Sequence, residues 1–118
     1  MKIYKNFNIN KIHKNSIILI GNFDGVHLGH RKLFRLAKKY KEKFKLRIGV
    51  LTFDPIPKIF FNRNIKNFKI SNFDQKKKLL EDLGVEFIIN KEFDLEFSKI
   101  KSIDFIKKII FKRLSPKF

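Results

Sequence analysis

The stretch Ser16-Ile-Ile-Leu-Ile-Gly-Asn-Phe-Asp-Gly-Val-His-Leu-Gly-His30, continued by Arg31-Lys-Leu-Phe-Arg-Leu-Ala-Lys-Lys-Tyr40, decides the fold. Its first five residues are an apolar, β-branched run that stops at Gly21, the pattern of a strand buried on both faces. Leu33, Phe34, Leu36, Ala37 and Tyr40 then recur at three- and four-residue spacing, which predicts an amphipathic helix reaching about Lys43. Between the two lies a turn with three glycines, Gly21, Gly25 and Gly29, so the unit reads strand, turn, helix.

The same alternation continues outward. Leu46-Arg-Ile-Gly-Val-Leu-Thr-Phe53 predicts a second buried strand, ended by Asp54-Pro-Ile-Pro57 because proline cannot donate to a ladder. Residues 58–70 read as loop with a helical turn. Asn72 or Asp74 is the expected cap of a helix to Leu83, with Leu79, Leu80 and Leu83 inward and Gly84 as its stop. Val85-Glu-Phe-Ile-Ile89 is the third strand. Ser102 is the expected cap of a last helix to Leu114, buried through Ile103, Ile106, Ile109 and Ile110. Three strands alternating with helices predict a doubly wound α/β fold with a parallel sheet. So small a sheet leaves edges that need cover.

Composition narrows the class. A chain of 118 residues fits one domain, and 43% hydrophobic residues, 15 of them Phe, are enough for a core. The absence of Cys excludes disulfides and Cys-based zinc sites. No apolar run approaches the ~18 residues of a membrane span, and the first ten residues lack a signal-peptide pattern. A cytoplasmic protein is expected. The net charge of +17 raises nucleic-acid binding as an alternative. Lys is spread along the whole chain, however, and is abundant together with Asn, Ile and Phe, all residues with AT-rich codons. We read the charge as mostly compositional, and as attractive to any polyanionic ligand.

The turn carries the chemistry. In open α/β sheets ligands bind at the carboxyl ends of the strands. There the glycines admit a phosphate to the backbone, and the next helix offers free N–H groups and its positive dipole end. Of three histidines in the chain, two, His27 and His30, lie three apart in this turn. Imidazoles so placed can donate to phosphoryl oxygens and stabilise the charge of a transition state. A metal site on the pair is the weaker reading, since only Asp24 is close in sequence to complete it.

The run Gly21-Asn-Phe-Asp-Gly-Val-His-Leu-Gly-His30 resembles the opening motif of bacterial FAD synthetases. These are the FMN adenylyltransferase modules of bifunctional riboflavin kinase/FMN adenylyltransferases, within the HxGH nucleotidylyltransferase superfamily. Leu51-Thr-Phe-Asp-Pro-Ile-Pro57 resembles the family's second motif, and Phe73 to Val85 and Phe93 to Phe97 follow it more loosely. The resemblance implies a Rossmann-like sheet and transfer of AMP from ATP to FMN, giving FAD and pyrophosphate. It implies an ATP site of Gly21, Asn22, Phe23, Asp24, Gly25 and Gly29, with His27 and His30 as the catalytic pair. Phe53, Asp54 and Pro55 would line the flavin side. Mg²⁺ would travel on ATP oxygens, with no protein metal site. Another HxGH nucleotidylyltransferase, acting on a sugar phosphate or pantetheine phosphate, is the alternative within the class.

Two departures matter. Ile56 stands where the family has His. The family's later Ser-x-Thr-x-x-Arg helix, its Gly-x-x-Phe-x-Phe-Gly segment and its riboflavin kinase module have no counterpart in this sequence. Residues 1–118 are therefore expected to form one adenylyltransferase domain that is incomplete at its C-terminal end. The edge of its first strand would be uncovered, and activity alone would be low. A non-catalytic nucleotide-binding remnant, or half of a split enzyme completed by another chain, are the competing readings.

Overall fold

The computed structural model describes residues 1–23, 28–54 and 73–118. Its framework is one parallel sheet of β1 (Lys2–Tyr4), β2 (Ile17–Ile20), β3 (Ile48–Asp54) and β4 (Phe87–Glu92), in the order β1-β4-β3-β2. The helices are α1 (Leu28–Phe44), α2 (Phe73–Asp82), the single-turn α3 (Leu95–Ser98) and α4 (Ser102–Asp104), which continues as a π-helix over Phe105–Leu114. A 3₁₀ turn at Lys11–His13 links β1 to β2. The doubly wound parallel α/β fold expected from the sequence is therefore present.

Side chains alternate across the sheet, as strand geometry requires. Ile17 and Leu19 of β2, Ile48 and Val50 of β3 and Ile88 of β4 pack on one face with Phe34 and Ala37 of α1 and Leu80 of α2. Leu51, Phe87 and Ile89 pack on the other with Phe97, Ile109 and Leu114. Gly49 belongs to this second face. A Cβ there would overlap the Phe87 ring, so the strand must carry glycine where Phe87 crosses it.

Several expectations are corrected. Among the described residues the sheet has four strands, not three; β1 adds in parallel to β4, with Ile3 opposite Ile88. The outer edge of β2 is partly covered. Ser115 to Phe118 runs beside it: Asn15 N–H donates to Ser115 C=O (2.7 Å), Lys117 N–H to Ser16 C=O (2.9 Å) and Ile18 N–H to the Phe118 carbonyl oxygen (3.1 Å). Phe118 also stacks on Tyr40, ring centroids 4.9 Å apart. The pairing ends at Ile18, and Ile20 beyond it is half exposed.

The others concern helices. In the last one Ile109 and Leu114, five apart, are buried, while Ile103 and Ile106 are exposed and Ile110 only partly buried. A π-helix closes i→i+5 bonds and takes more residues per turn than an α-helix, which displaces the stripe. Ser102 is the first helical residue rather than the cap; Lys101 precedes it without a side-chain cap bond. Of the expected inward residues, Leu33 and Leu36 of α1 and Leu79 of α2 are exposed, and the buried stripes narrow to Phe34 and Ala37, and to Lys76 and Leu80. Asp74 lies inside the first turn of α2, and Asn72 is outside the described residues. Gly84 stops that region as expected, at φ +92°, a conformation that favours glycine.

Candidate functional site

Because all four strands run the same way, Gly21 after β2, Thr52 to Asp54 of β3 and Asn90 to Glu92 of β4 share one edge of the sheet. Gly21 N–H donates to Leu51 C=O at 3.1 Å, carrying the chain one residue past β2 alongside β3. Phe23 then turns it at φ +55°, left-handed and unfavourable for a residue with a side chain. The turn is held by the ring. Phe23 is 1% exposed and meets the Phe34 ring at 5.4 Å and the His30 ring at 5.0 Å, both edge to face. A Cβ on Gly21 would lie 3.1 Å from Phe23 Cζ, so glycine there keeps the space the ring occupies.

His30 is the third residue of α1, with Gly29 before it in the same first turn. The structure thus brings Gly21, Asn22, Phe23, Gly29 and His30 together at the amino end of a 17-residue helix, where the first-turn N–H groups have no acceptor within the helix itself. Asp24, Gly25 and His27, predicted for the same turn, lie outside the described residues, so the His27–His30 pairing is an expectation from sequence.

Phe53 and Asp54 close β3 at the same edge, and Pro55 lies outside the described residues. Phe53 packs on the opposite face of the sheet from Phe23. Its ring meets Phe93 (5.8 Å) and Phe97 (5.4 Å), and it lines an apolar cavity of about 340 Å³ with Phe93, Phe97, Ile100, Phe105 and Ile106. Asp54 C=O accepts from Phe93 N–H at 3.1 Å, which ties the cavity's rim to β3. Lys91 Nζ lies 5.4 Å from the Phe97 ring, a cation over an aromatic face. Phe23, predicted for the ATP side, and Phe53, predicted for the flavin side, therefore flank one sheet edge from two sides.

The third histidine is not part of this site. His13 lies near the amino ends of the strands, buried and stacked on Phe87 at 4.3 Å. Tyr4 Oη lies 2.6 Å from its Nδ1, and burial followed by the nearby Arg47 charge holds its pKa below the usual histidine value. Among the described residues no three His, Asp or Glu side chains come together to hold a metal, and no helix is long and apolar enough to cross a membrane.

One residue at the edge was not foreseen. Lys76 of α2 is 6% exposed, and its ammonium donates to Asn22 C=O (3.0 Å), Asn22 Oδ1 (3.4 Å) and Thr52 Oγ1 (3.5 Å). In the sequence it sits in a Lys-Lys-Lys run that reads as a solvated face. Its position four residues before Leu80 was the available signal, since that spacing puts both on the inward side of a helix.

Comparison with known proteins agrees with the motifs. The family model for FAD synthetase matches residues 9–118. The bifunctional riboflavin kinase/FMN adenylyltransferase of Buchnera aphidicola from Acyrthosiphon pisum is 36% identical over 119 aligned positions, covering 100% of this chain and 38% of that protein. The protein of the same description from Escherichia coli K12 is 31% identical over 102 residues, covering 86% of this chain and 33% of its own length. A solved structure described as a macrolide-efflux protein from Streptococcus pneumoniae aligns with a TM-score of 0.77 at 28% identity, over 97% of this chain and 38% of that one. The chain spans about a third of the length of the curated relatives it matches. With its motifs, its sheet and a family match across nearly its whole length, this chain belongs to the FAD synthetase family.

Proposed function

We propose that the chain forms the ATP-binding part of an FMN adenylyltransferase site and acts in a cytoplasmic protein. The observation that carries the reading is the Phe23-held turn, which sets Asn22 and His30 beside the amino end of α1. In the reaction an FMN phosphate oxygen attacks the α-phosphorus of ATP. That P–O bond forms as the bond to the bridging oxygen breaks, and pyrophosphate leaves with the electron pair. No covalent enzyme intermediate is needed, so alignment and charge stabilisation supply the catalysis. The turn's backbone and α1 N–H groups would hold the phosphates. His30, with His27, would donate to oxygens that gain charge in the transition state. Asp24, Gly25 and Gly29 would complete the ATP side, and Phe53, Asp54 and Pro55 the flavin side, where the aromatic cavity lined by Phe53 suits a flat, largely apolar ring system.

Mg²⁺ would accompany ATP on its phosphate oxygens. The described side chains do not gather into a cage for it. A second reading, nucleotide binding without turnover, is favoured by one observation: Phe23 on the ATP side and Phe53 on the flavin side pack on opposite faces of the sheet. The two separate in an assay of FAD formation from FMN and ATP by the purified chain. Turnover that is lost in His30→Ala supports the enzyme. ATP binding with no FAD formed supports the binding-only reading, and absence of ATP binding removes both.

A further inference from the structure

We infer that Lys76 is a positioning residue for the phosphate-binding turn, acting through Asn22; the ligand assigned to that turn rests on the function proposed above. Lys76 is one of the few polar side chains buried among the described residues, and burying an ammonium is costly unless its donors are satisfied. Its contacts at the turn do more than satisfy it. It bonds both the carbonyl and the side-chain oxygen of Asn22, so one ammonium fixes the residue's backbone and side chain together. Its third contact, Thr52 Oγ1, belongs to a residue with no exposed surface in the middle strand β3. The turn is thereby pinned to the sheet from above, while Phe23 wedges it from the α1 side.

The contacts also define a route. Asn22 is 54 residues from Lys76 in sequence, and α2 otherwise reaches the sheet mainly through apolar packing of Leu80. The clamp makes the start of α2 part of the turn. Without it, the turn's carbonyl and amide groups would be free to reorient, and preorganisation for an anion would be lost. Substituting Lys76 should therefore weaken the phosphate side of the site selectively and leave the aromatic flavin side alone.

The test uses the 118-residue chain as wild type, Lys76→Met and Lys76→Arg. Two readouts are taken: amide hydrogen exchange at Gly21, Asn22 and Phe23, and titration with Mg·ATP and, separately, FMN. Lys76→Met should speed turn exchange about tenfold or more while Ile88 and Ile89 keep wild-type rates. It should weaken ATP about tenfold and shift FMN less than about twofold, with Lys76→Arg recovering much of the loss. Unchanged turn exchange overturns the inference, as does an equal loss of ATP and FMN binding. If wild type binds no ATP, the assigned ligand is wrong, and the exchange rates alone still decide the positioning role. If Lys76→Met does not fold, the ¹⁵Nζ signal of Lys76 in the wild type decides. A protected signal supports the clamp, and one exchanging with water like the surface lysines overturns it.

Discussion

The Phe23 ring stands edge-on to the His30 imidazole, centroids 5.0 Å apart and planes at 65°, so a buried hydrophobic anchor sets the position of the histidine assigned to phosphate chemistry. The anchor comes with backbone strain, because Phe23 holds φ +55° to bring its ring inward.

That relationship separates packing from strain. Phe23→Ala should cost about 3–5 kcal/mol through the lost ring. Phe23→Gly, which normally would be worse, should be no less stable than Phe23→Ala, because glycine takes the left-handed conformation without penalty and alanine does not. Urea denaturation of the two variants measures the order. A glycine variant clearly less stable than the alanine one contradicts the strain assignment.

Gly49 gives a second test, on the far face of the sheet. Phe87 lies across it and cannot withdraw easily, since its ring is fully buried and stacked against His13. Gly49→Ala should cost about 1–3 kcal/mol by overpacking, read as a lower Tm, and pairing it with Phe87→Leu should recover part of the loss. Additive losses in the double variant would show that the two sites do not meet.

The pH dependence of stability should carry a His13 component. Burial, then Arg47 and more weakly Lys2, lower its folded-state pKa, while Glu86 opposes them. A depressed histidine pKa means that the unfolded chain takes up a proton first as pH falls. The neutral, Tyr4-bonded state therefore contributes fully above the unfolded value of about 6.5, and the contribution fades as pH falls below it. Thermal melts from pH 7.5 to 5.0 should fall more steeply for wild type than for His13→Phe. Parallel curves would exclude the contribution.

Much of this was legible in the sequence because burial on both faces leaves a strong signature. Ile17 to Ile20 and Ile48 to Phe53 read as strands from their apolar runs, and Gly84 as a helix stop from its position. β1 was not legible: a three-residue edge strand with Lys2 exposed and Ile3 half-buried has no run to read. The last helix misled in part: Ile109 is buried as its spacing indicated, but the π geometry buries Leu114 with it and leaves Ile103 and Ile106 exposed. At the site, glycine and histidine spacing pointed to the turn, of which Gly21 to Phe23, Gly29 and His30 are described. Lys76 looked identical to Lys77 and Lys78, and only the placement of α2 over Asn22 distinguishes it.

The most direct test of the account is calorimetric titration of Mg·ATP into the wild-type chain and into His30→Ala. Wild type should show saturable 1:1 binding and His30→Ala an affinity about tenfold or more weaker, with the same far-UV circular dichroism for both. Absence of ATP binding by the folded wild-type chain, or equal affinity in the two proteins, would contradict the assignment of this turn to nucleotide phosphates.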